Sequence, residues 1–246
     1  MKNMPAQPTA TLPHRPREAV VIAFPGARKP SSHVDEYYAV HCGTPSRIYV
    51  APPPSDPDAF WDVVDCQAAC RSDEDHRIIT LKNRLKSLSH TEILSFDADF
   101  HRCLVRAWTP VMASASSVLN QGFGDVALPG FLSWMIALGS RGFEACLADP
   151  REILAHLPRP SVAPAIIEFE SLSHVAREIH ESRFGMEMPC FDLARFGRFE
   201  AMPEADPDLL GDARPALASW VAARERATAD RMKARLRALR GTVEPG

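Results

Sequence analysis

The sequence predicts a mainly α-helical fold, in which a compact multi-helix domain follows one or two short N-terminal β-strands and precedes a basic C-terminal helix. Three observations indicate this arrangement. Apolar residues recur at spacings of three and four from about residue 56, sequences that start helices separate these segments, and 11 of the 22 prolines lie in the first 57 residues. The chain therefore divides into a Pro-rich segment (1–55), a helical core domain (56–190) and a linker with the basic helix (191–246).

Length and charge restrict the class of protein. The chain has 246 residues, of which 46% are hydrophobic and 24% charged, a composition typical of a globular protein with one sizeable core. A net charge of −3 gives no long-range attraction for nucleic acid or for an anionic membrane. No apolar run is long enough to span a bilayer, and the N-terminal residues lack the pattern of a secretory signal. We therefore expect a cytoplasmic protein.

Six cysteines are spread along the chain without a close Cys-x-x-Cys pair. With no secretory signal, this spacing predicts reduced thiols, most of them buried as small apolar side chains. They are Cys42, Cys66, Cys70, Cys103, Cys146 and Cys190.

The Pro-rich segment contains two runs that are typical of β-strands. Residues 19–24 (AVVIAF) and 47–50 (RIYV) are rich in β-branched or aromatic side chains, and Pro or Gly lies close to them. They predict a small hairpin or two added strands. The prolines of residues 51–58 (APPPSDPD) predict a stiff connector to the helical domain.

The first helices are predicted from their starting residues. Asp56 precedes Pro57, which is a favourable pair for an N-cap and a first helical position. A second helix is indicated by apolar residues between 78 and 88. Ser89 and Glu92 then form the pattern of a capping box, in which each side chain binds the backbone N–H of the other residue.

Further helices follow at regular intervals. Pro110 opens one, and residues 131–150 (FLSWMIALGSRGFEACLADP) contain a second whose apolar spacing predicts core packing. Asp149 and Pro150 start a short helix. A long helix is expected from Pro164 to a terminating glycine, Gly185, and the last helix spans roughly residues 215–240.

The order of these elements resembles the bacterial domain of unknown function 4240 family over roughly residues 60–189. The resemblance is carried by FWDVVD (60–65), LSHTEILSFDADF (88–100), the FLSWMIALGSRGFEACLADP stretch (131–150) and HVAREIHESRFGMEMP (174–189). It implies a shared architecture and brings no activity with it.

This chain departs from the family pattern at two positions. The resemblance implies a pair of aspartates after a glycine-rich turn, and an arginine after the phenylalanine that opens the buried helix. Here Asp125 is followed by Val126, and Phe131 is followed by Leu132. An ionic site built from those residues in relatives would be incomplete in this chain, whereas a simple tie between the turn and the helix could still be made in part by Asp125.

Asp125, Trp134 and Arg141 are the candidate residues for a polar pocket. Core packing explains Trp134, because it falls on the periodic apolar face. The functional alternative makes Trp134 a pocket wall and Arg141 an anion contact, since a guanidinium binds carboxylate or phosphate with a planar fork. An enzyme of unknown reaction would use this pocket, with His174 or His180 as an additional polar group.

Metal and acid–base sites have weaker support. Soft thiolate and imidazole ligands suit zinc, but the cysteine spacing is looser than in most zinc sites, so we predict no metal and no cofactor. The residues that would form the metal site are Cys66, Cys70, His76, His101 and Cys103.

Asp62 and Asp65 could share a helix face as a pair of carboxylates for acid–base chemistry, and we interpret them as part of a solvated helix face.

The last helix concentrates positive charge. Residues 213–240 contain eight Arg or Lys and two acidic residues, a local net charge of +6 that leaves −9 on the rest of the chain. The basic residues lie around the helix and not along one stripe, which argues against recognition of a nucleic-acid groove. Leu236 and Leu239 supply apolar surface that an intramolecular or a protein contact would bury.

These observations lead to a functional hypothesis. We expect a non-catalytic protein-binding domain with a regulatory or toxin-neutralising (immunity-like) role, whose partner is another protein. The expected contacts in the basic helix are Arg224, Arg231 and Arg235. The enzyme with a pocket near Asp125 is the alternative, and nucleic-acid binding through the basic helix would require affinity that falls steeply with salt.

Overall fold

The computed structural model describes residues 48–49, 56–68, 74–121, 124–169, 171–191 and 203–241. The fold is mainly α-helical over these ranges, as the periodicity of the sequence predicts, with nine α-helices. The predicted strand at residues 19–24, the connector at 51–55 and the side chains of Cys42, Cys70 and Cys190 lie outside the described residues.

The helices are numbered in chain order. They are α1 (Pro57–Ala68), α2 (Glu74–Lys86), α3 (His90–Ala107), α4 (Pro110–Leu119), α5 (Gly124–Ile136), α6 (Ser140–Ala148), α7 (Ile153–His156), α8 (Ser171–Phe184) and α9 (Ala213–Gly241). Two short 3₁₀ helices, Pro150–Glu152 and Pro207–Leu210, precede α7 and α9.

Local capping motifs set the starts of three helices, and the caps at Asp56 and Ser89 are the predicted ones. The Asp56 carboxylate accepts a hydrogen bond from the Asp58 N–H at 3.1 Å, immediately before α1. At the start of α3 the capping box is complete, with the Ser89 N–H donating to Glu92 Oε2 at 2.6 Å and the Glu92 N–H donating to Ser89 Oγ at 3.3 Å. Thr109 caps α4, in which Pro110 is the first residue.

The core is formed mainly by the apolar faces of α1 to α6 and α8, with smaller contributions from α7 and α9. Phe131 and Met135 are fully buried in α5, and Trp134 is 8% exposed and stacks on Phe131 with ring centroids 5.6 Å apart. Core packing is therefore confirmed for the apolar stripe of residues 131–138. Each side chain of this size contributes about 1.5–3 kcal/mol when it is fully buried.

The helix predicted from Pro164 begins later than expected. Residues 157–169 form an irregular segment, and α8 starts at Ser171. The Ile167 N–H donates to Asn120 Oδ1 at 2.8 Å, and the Phe169 N–H donates to the Gly130 carbonyl at 3.0 Å. Tertiary hydrogen bonds thus replace the first helical turns. The predicted end is confirmed, because Gly185 has φ +63 and its N–H donates to the Glu181 carbonyl.

A parallel pair of two-residue strands joins distant parts of the chain. Strand β1 (Ile48–Tyr49) pairs in parallel with β2 (Cys190–Phe191), with Ile48 opposite Cys190. The other residues of the two predicted N-terminal strands lie outside the described ranges, so those strands stay a prediction.

Residues beyond 190 contribute to the same core as the helical domain. Leu210, Ala213 and Leu217 are buried, and the first turns of α9 pack on α4. The preceding segment is fixed by the Asp206 N–H, which donates to Ser114 Oγ at 2.8 Å. The N-terminal part of α9 is therefore anchored on the helical domain.

Among the described residues, no helix is both long and apolar enough to cross a bilayer. Cys103 and Cys146 are buried, as expected, and Cys66 is half-buried with its thiol donating to the Val63 carbonyl at 2.9 Å. Burial raises the pKa of both the Cys103 and the Cys146 thiol to about 12.

Candidate functional site

The Gly-Ser-Arg-Gly turn at residues 139–142 is organised by a carboxylate from another helix. Gly139 has φ +87 and offers no side chain to cap α6. Asp65, on α1, accepts hydrogen bonds from the Ser140 N–H at 2.8 Å and from the Ser140 hydroxyl at 3.0 Å. The interpretation of Asp65 as part of a solvated face is therefore wrong, whereas Asp62 is exposed.

A largely buried network of polar side chains binds the backbone carbonyl that follows the last residue of α5. The Ala137 carbonyl accepts from Gln67 Nε2 at 2.8 Å and from an Arg77 terminal nitrogen at 2.6 Å. Arg77 Nε also donates to Gln67 Oε1 at 2.8 Å, and its guanidinium lies over the Phe169 ring at 4.9 Å. Gln67 is fully buried, so this network joins α1, α2 and α5 and has a structural role.

The residues predicted for a polar pocket occupy different environments. Trp134 belongs to the core, whereas Arg141 is exposed in the first turn of α6. Asp125 lies in the first turn of α5, and its side chain is outside the described residues. No hydrogen bond, ion pair or cation–π contact joins Trp134 and Arg141 in the part of the chain that is described.

A small groove lies between α1, α2 and α3. It has a volume of about 220 Å³, an apolar floor that includes Phe60 and Phe96, and a polar rim with Arg84 and Glu92. The Glu92 carboxylate is engaged by Ser89 in the capping box, and these hydrogen bonds hold its pKa below the ordinary value. The rim carboxylate is thus an ionised cap and not a proton donor.

The rings of His90, His180 and Phe184 cluster where α3 contacts α8. The His90 and His180 rings lie 5.0 Å apart, and the Phe184 ring lies 4.9 Å from His90. His180 is fully buried, and its Nε2 has no hydrogen-bond partner within the described ranges, while Nδ1 lies 3.2 Å from the Met186 carbonyl oxygen. Burial lowers the pKa of His180, and the neighbouring His90 lowers it further.

The described residues contain no group of three or more His, Cys, Asp or Glu side chains that could hold a metal ion. Of the residues considered for zinc, Cys70 lies outside these ranges, and the Cys66 thiol donates to a backbone carbonyl.

The N-terminal part of α9 holds two of its polar groups in contacts within the chain. Arg224 is 4% exposed, its guanidinium donates to the Leu119 carbonyl at 2.9 Å, and it lies 5.2 Å from the Trp220 ring centroid. Burial lowers the pKa of Arg224. The Trp220 indole donates to the Pro158 carbonyl at 3.1 Å. Arg224 therefore anchors α9 to the body of the domain.

The C-terminal part of α9 is different. We define the distal segment as residues 228–239, all of which are exposed. Arg231 donates to the Ser161 carbonyl, which ties the helix to the domain, and to Thr228 Oγ1 on the same helix. Beyond it, Met232, Leu236 and Leu239 have exposed fractions of 63%, 52% and 56%.

Charge surrounds this exposed apolar group. The distal segment contains four basic residues and one acidic residue. Lys233 and Arg235 are both exposed, and Lys233 makes a long contact of 3.9 Å with Asp230, a pair of a kind that contributes little in water. The distal segment thus combines apolar side chains with a local excess of positive charge.

The structure separates the six candidate residues into three places. Trp134 lies in the core and Asp125 and Arg141 lie near the ends of neighbouring helices, while the three arginines share α9. Only Arg231 and Arg235 are in the distal segment. Met232 was missed in the sequence, although its spacing of four and seven residues from Leu236 and Leu239 was a usable signal.

Comparisons with known proteins agree with the resemblance seen in the sequence. No curated protein and no solved structure matches the chain. The model of a family described as "Protein of unknown function (DUF4240)" matches residues 56–182, which cover α1 to most of α8 and more than half of the sequence. The chain belongs to the DUF4240 family.

Proposed function

We propose that this chain is a non-catalytic protein-binding protein whose distal segment contacts another protein, in a regulatory or toxin-neutralising (immunity-like) role. The observation that carries the proposal is the exposure of Met232, Leu236 and Leu239 on a cationic stretch of helix beside and beyond Arg231, whose guanidinium donates to the Ser161 carbonyl. The proposed activity is binding and requires no cofactor.

The physical reason is the cost of leaving such side chains in water. Each Leu or Met side chain that becomes fully buried on association contributes about 1.5–3 kcal/mol. Contiguous exposed apolar side chains rimmed by polar residues are typical of interaction sites, whereas single exposed ones are ordinary. The positive charges around them would accelerate association with an acidic partner and would select against basic ones.

The titratable groups with shifted pKa values also support a non-catalytic function. Glu92 and Asp149 lie at helix starts and bind neighbouring groups there, and the shifted thiols are buried in the core. His180 is enclosed between α3 and α8. The contacts of these described groups account for their shifts, and a structural role for them is consistent with the proposal.

Affinity capture with matched variants tests the proposal. The tagged full-length chain is compared in host lysate with Leu236→Asp and with the control Ala234→Asp, which adds the same charge at an exposed position of the same helix. We expect the wild type and the control to retain a stoichiometric protein that Leu236→Asp loses. Retention of no protein, or equal retention by all three chains, would contradict the proposal.

A further inference from the structure

The apolar side chains of the distal segment form a stripe. With about 100° of rotation per residue, Met232, Leu236 and Leu239 fall within roughly 60° of one another on one helix face. Their spacing of four and then three residues is the spacing of a short heptad seam. A seam of this kind is filled by the side chains of a second helix that lies alongside the first.

This stripe is not a simple continuation of the face that docks on the domain. The docked face contains Ala213, Leu217 and Arg224. By the same helical rotation, the centre of the distal stripe lies roughly 90° further around the helix. Straight extension of the docked face leads instead to Arg231 and Arg235, which are exposed. Among the described residues, the docked face and the stripe therefore lie on different sides of α9, and the stripe side chains are more than half exposed.

The charged residues on either side of the stripe indicate which charge a partner helix should carry. Lys233 and Arg235 occupy the positions next to the seam, which in paired helices contact charged residues of the partner. Opposite charges across such a seam favour pairing, and like charges select against it. A partner helix with Glu or Asp at its flanking positions would therefore be preferred.

A second copy of this chain is a poor occupant of the stripe. Two distal segments would bring cationic flanks together in either relative direction, because both flanks are basic. The other large exposed apolar residues in the described ranges form no stripe along one helix, since Ile79 and Leu209 lie in different helices and Val162 and Met186 lie in irregular segments.

An anionic membrane surface also fits less well. Helices that lie on membranes usually present a broad apolar face with large aromatic anchors. The distal segment has three apolar side chains in its stripe and no aromatic residue. A narrow seam is better matched by another narrow helix.

Resting on the proposed function, we infer that the partner contacts the distal segment through an amphipathic α-helix with an apolar seam and acidic flanks. The distal segment is about 18 Å long at 1.5 Å per residue, so the paired region spans about three helical turns. A paired region this short is expected to bury less than about 1,200 Å², an interface size that is typical of transient complexes. We therefore expect the contact to be reversible and of moderate affinity.

Binding of defined peptides tests the inference. The probe is a fluorescent peptide of about three heptads with Leu in the seam and Glu at the flanks, measured by anisotropy against the full-length chain. We expect this peptide to bind at least about ten-fold more tightly than a scrambled peptide of equal composition, a difference of about 1.4 kcal/mol. Equal binding of the scrambled peptide would overturn the inference, because charge alone would then explain the affinity.

Two variants make the test specific. Leu236→Asp should weaken the acidic peptide at least about ten-fold, while Ala234→Asp should change its affinity less than about three-fold. The double variant Lys233→Glu/Arg235→Glu should lose the acidic peptide and gain a matched peptide with Lys at its flanks. Circular dichroism and thermal unfolding should be unchanged, because these side chains are exposed.

Other occupants give distinct results in the same assay. A concentration-dependent dimer that Leu236→Asp abolishes, or stronger binding to vesicles of anionic phospholipid or to duplex DNA than to the peptide, would overturn the inference. If lysate capture depends on Leu236 but no helical peptide binds, the inference fails while the proposed function stands. If capture also fails, both fail.

Discussion

The Asp65 carboxylate on α1 caps the first turn of α6 by accepting hydrogen bonds from both the N–H and the hydroxyl of Ser140, at 2.8 and 3.0 Å. The two residues are 75 positions apart. Because Gly139 has no side chain with which to cap the helix, this tertiary contact replaces a local N-cap and joins α1 to α6.

Replacement of Asp65 by alanine should lower the free energy of unfolding by about 1–2 kcal/mol, which is the usual cost of losing an N-cap. The half-buried Ser140 hydroxyl would lose its acceptor at the same time. Chemical denaturation measures this change. Asp62→Ala is the control, because Asp62 is exposed on the same helix, and equal losses for the two variants would show that Asp65 is not a cap.

Gly139→Ala should be more disruptive than a change in backbone conformation alone explains. The residue has φ +87, and an added Cβ would lie 2.4 Å from Asp65 Oδ1, so the cap itself must move. Gly185→Ala is the matched control, since it has φ +63 and open space around its Cβ position. We expect a loss of about 1–2 kcal/mol for the control and a larger loss for Gly139→Ala, measured by denaturant unfolding.

Gln67→Leu should destabilise the fold although it is close in volume and apolar. The change leaves Arg77 Nε without the acceptor that lies 2.8 Å away and removes one donor from the Ala137 carbonyl. A polar group left without a partner costs about 1–3 kcal/mol. Thermal unfolding of Gln67→Leu should show this loss, and an unchanged or higher melting temperature would show that the network contributes no net stability.

His180 should make the fold sensitive to acid. Its pKa is lowered in the folded protein, first by burial and then by His90. As the pH falls below the ordinary value of 6.5, the unfolded chain binds a proton that the folded chain does not, so stability decreases down to the lowered pKa. Above that range both states are neutral, and this dependence vanishes.

Denaturant unfolding at several pH values tests this prediction. His180→Gln should have a smaller loss of stability between about pH 7 and pH 5 than the wild type. His156→Gln is the control, because His156 is exposed. Parallel pH profiles for the wild type and His180→Gln would contradict the assignment.

Cys103 and Cys146 should resist alkylation in the native protein. Burial raises the pKa of both thiols to about 12, so almost no thiolate forms at neutral pH. Peptide mapping after iodoacetamide treatment should find both residues unmodified in the native state and modified in denaturant. Rapid native labelling of either thiol would show that α3 or α6 opens frequently.

Local sequence determined much of the helical architecture. The Asp56, Ser89 and Thr109 caps are formed within three residues, so a sequence pattern is sufficient to find them. The apolar period of residues 131–138 likewise predicted a core helix. Both signals depend on nearest neighbours along the chain and on the helical repeat, and neither requires knowledge of the fold.

Only the tertiary structure decided the roles of Asp65, Gln67 and Arg224. Each contacts atoms at least 60 positions away, and no local pattern distinguishes these residues from solvated ones. For the same reason the start of α8 was placed too early, since its first expected turns bind Asn120 and Gly130 instead. The sequence by itself determined where the locally capped helices start and which faces are apolar, because these depend on neighbouring residues and on the helical repeat. Tertiary packing decided which polar groups are used internally and which part of α9 stays exposed, because those outcomes depend on which distant surfaces come together.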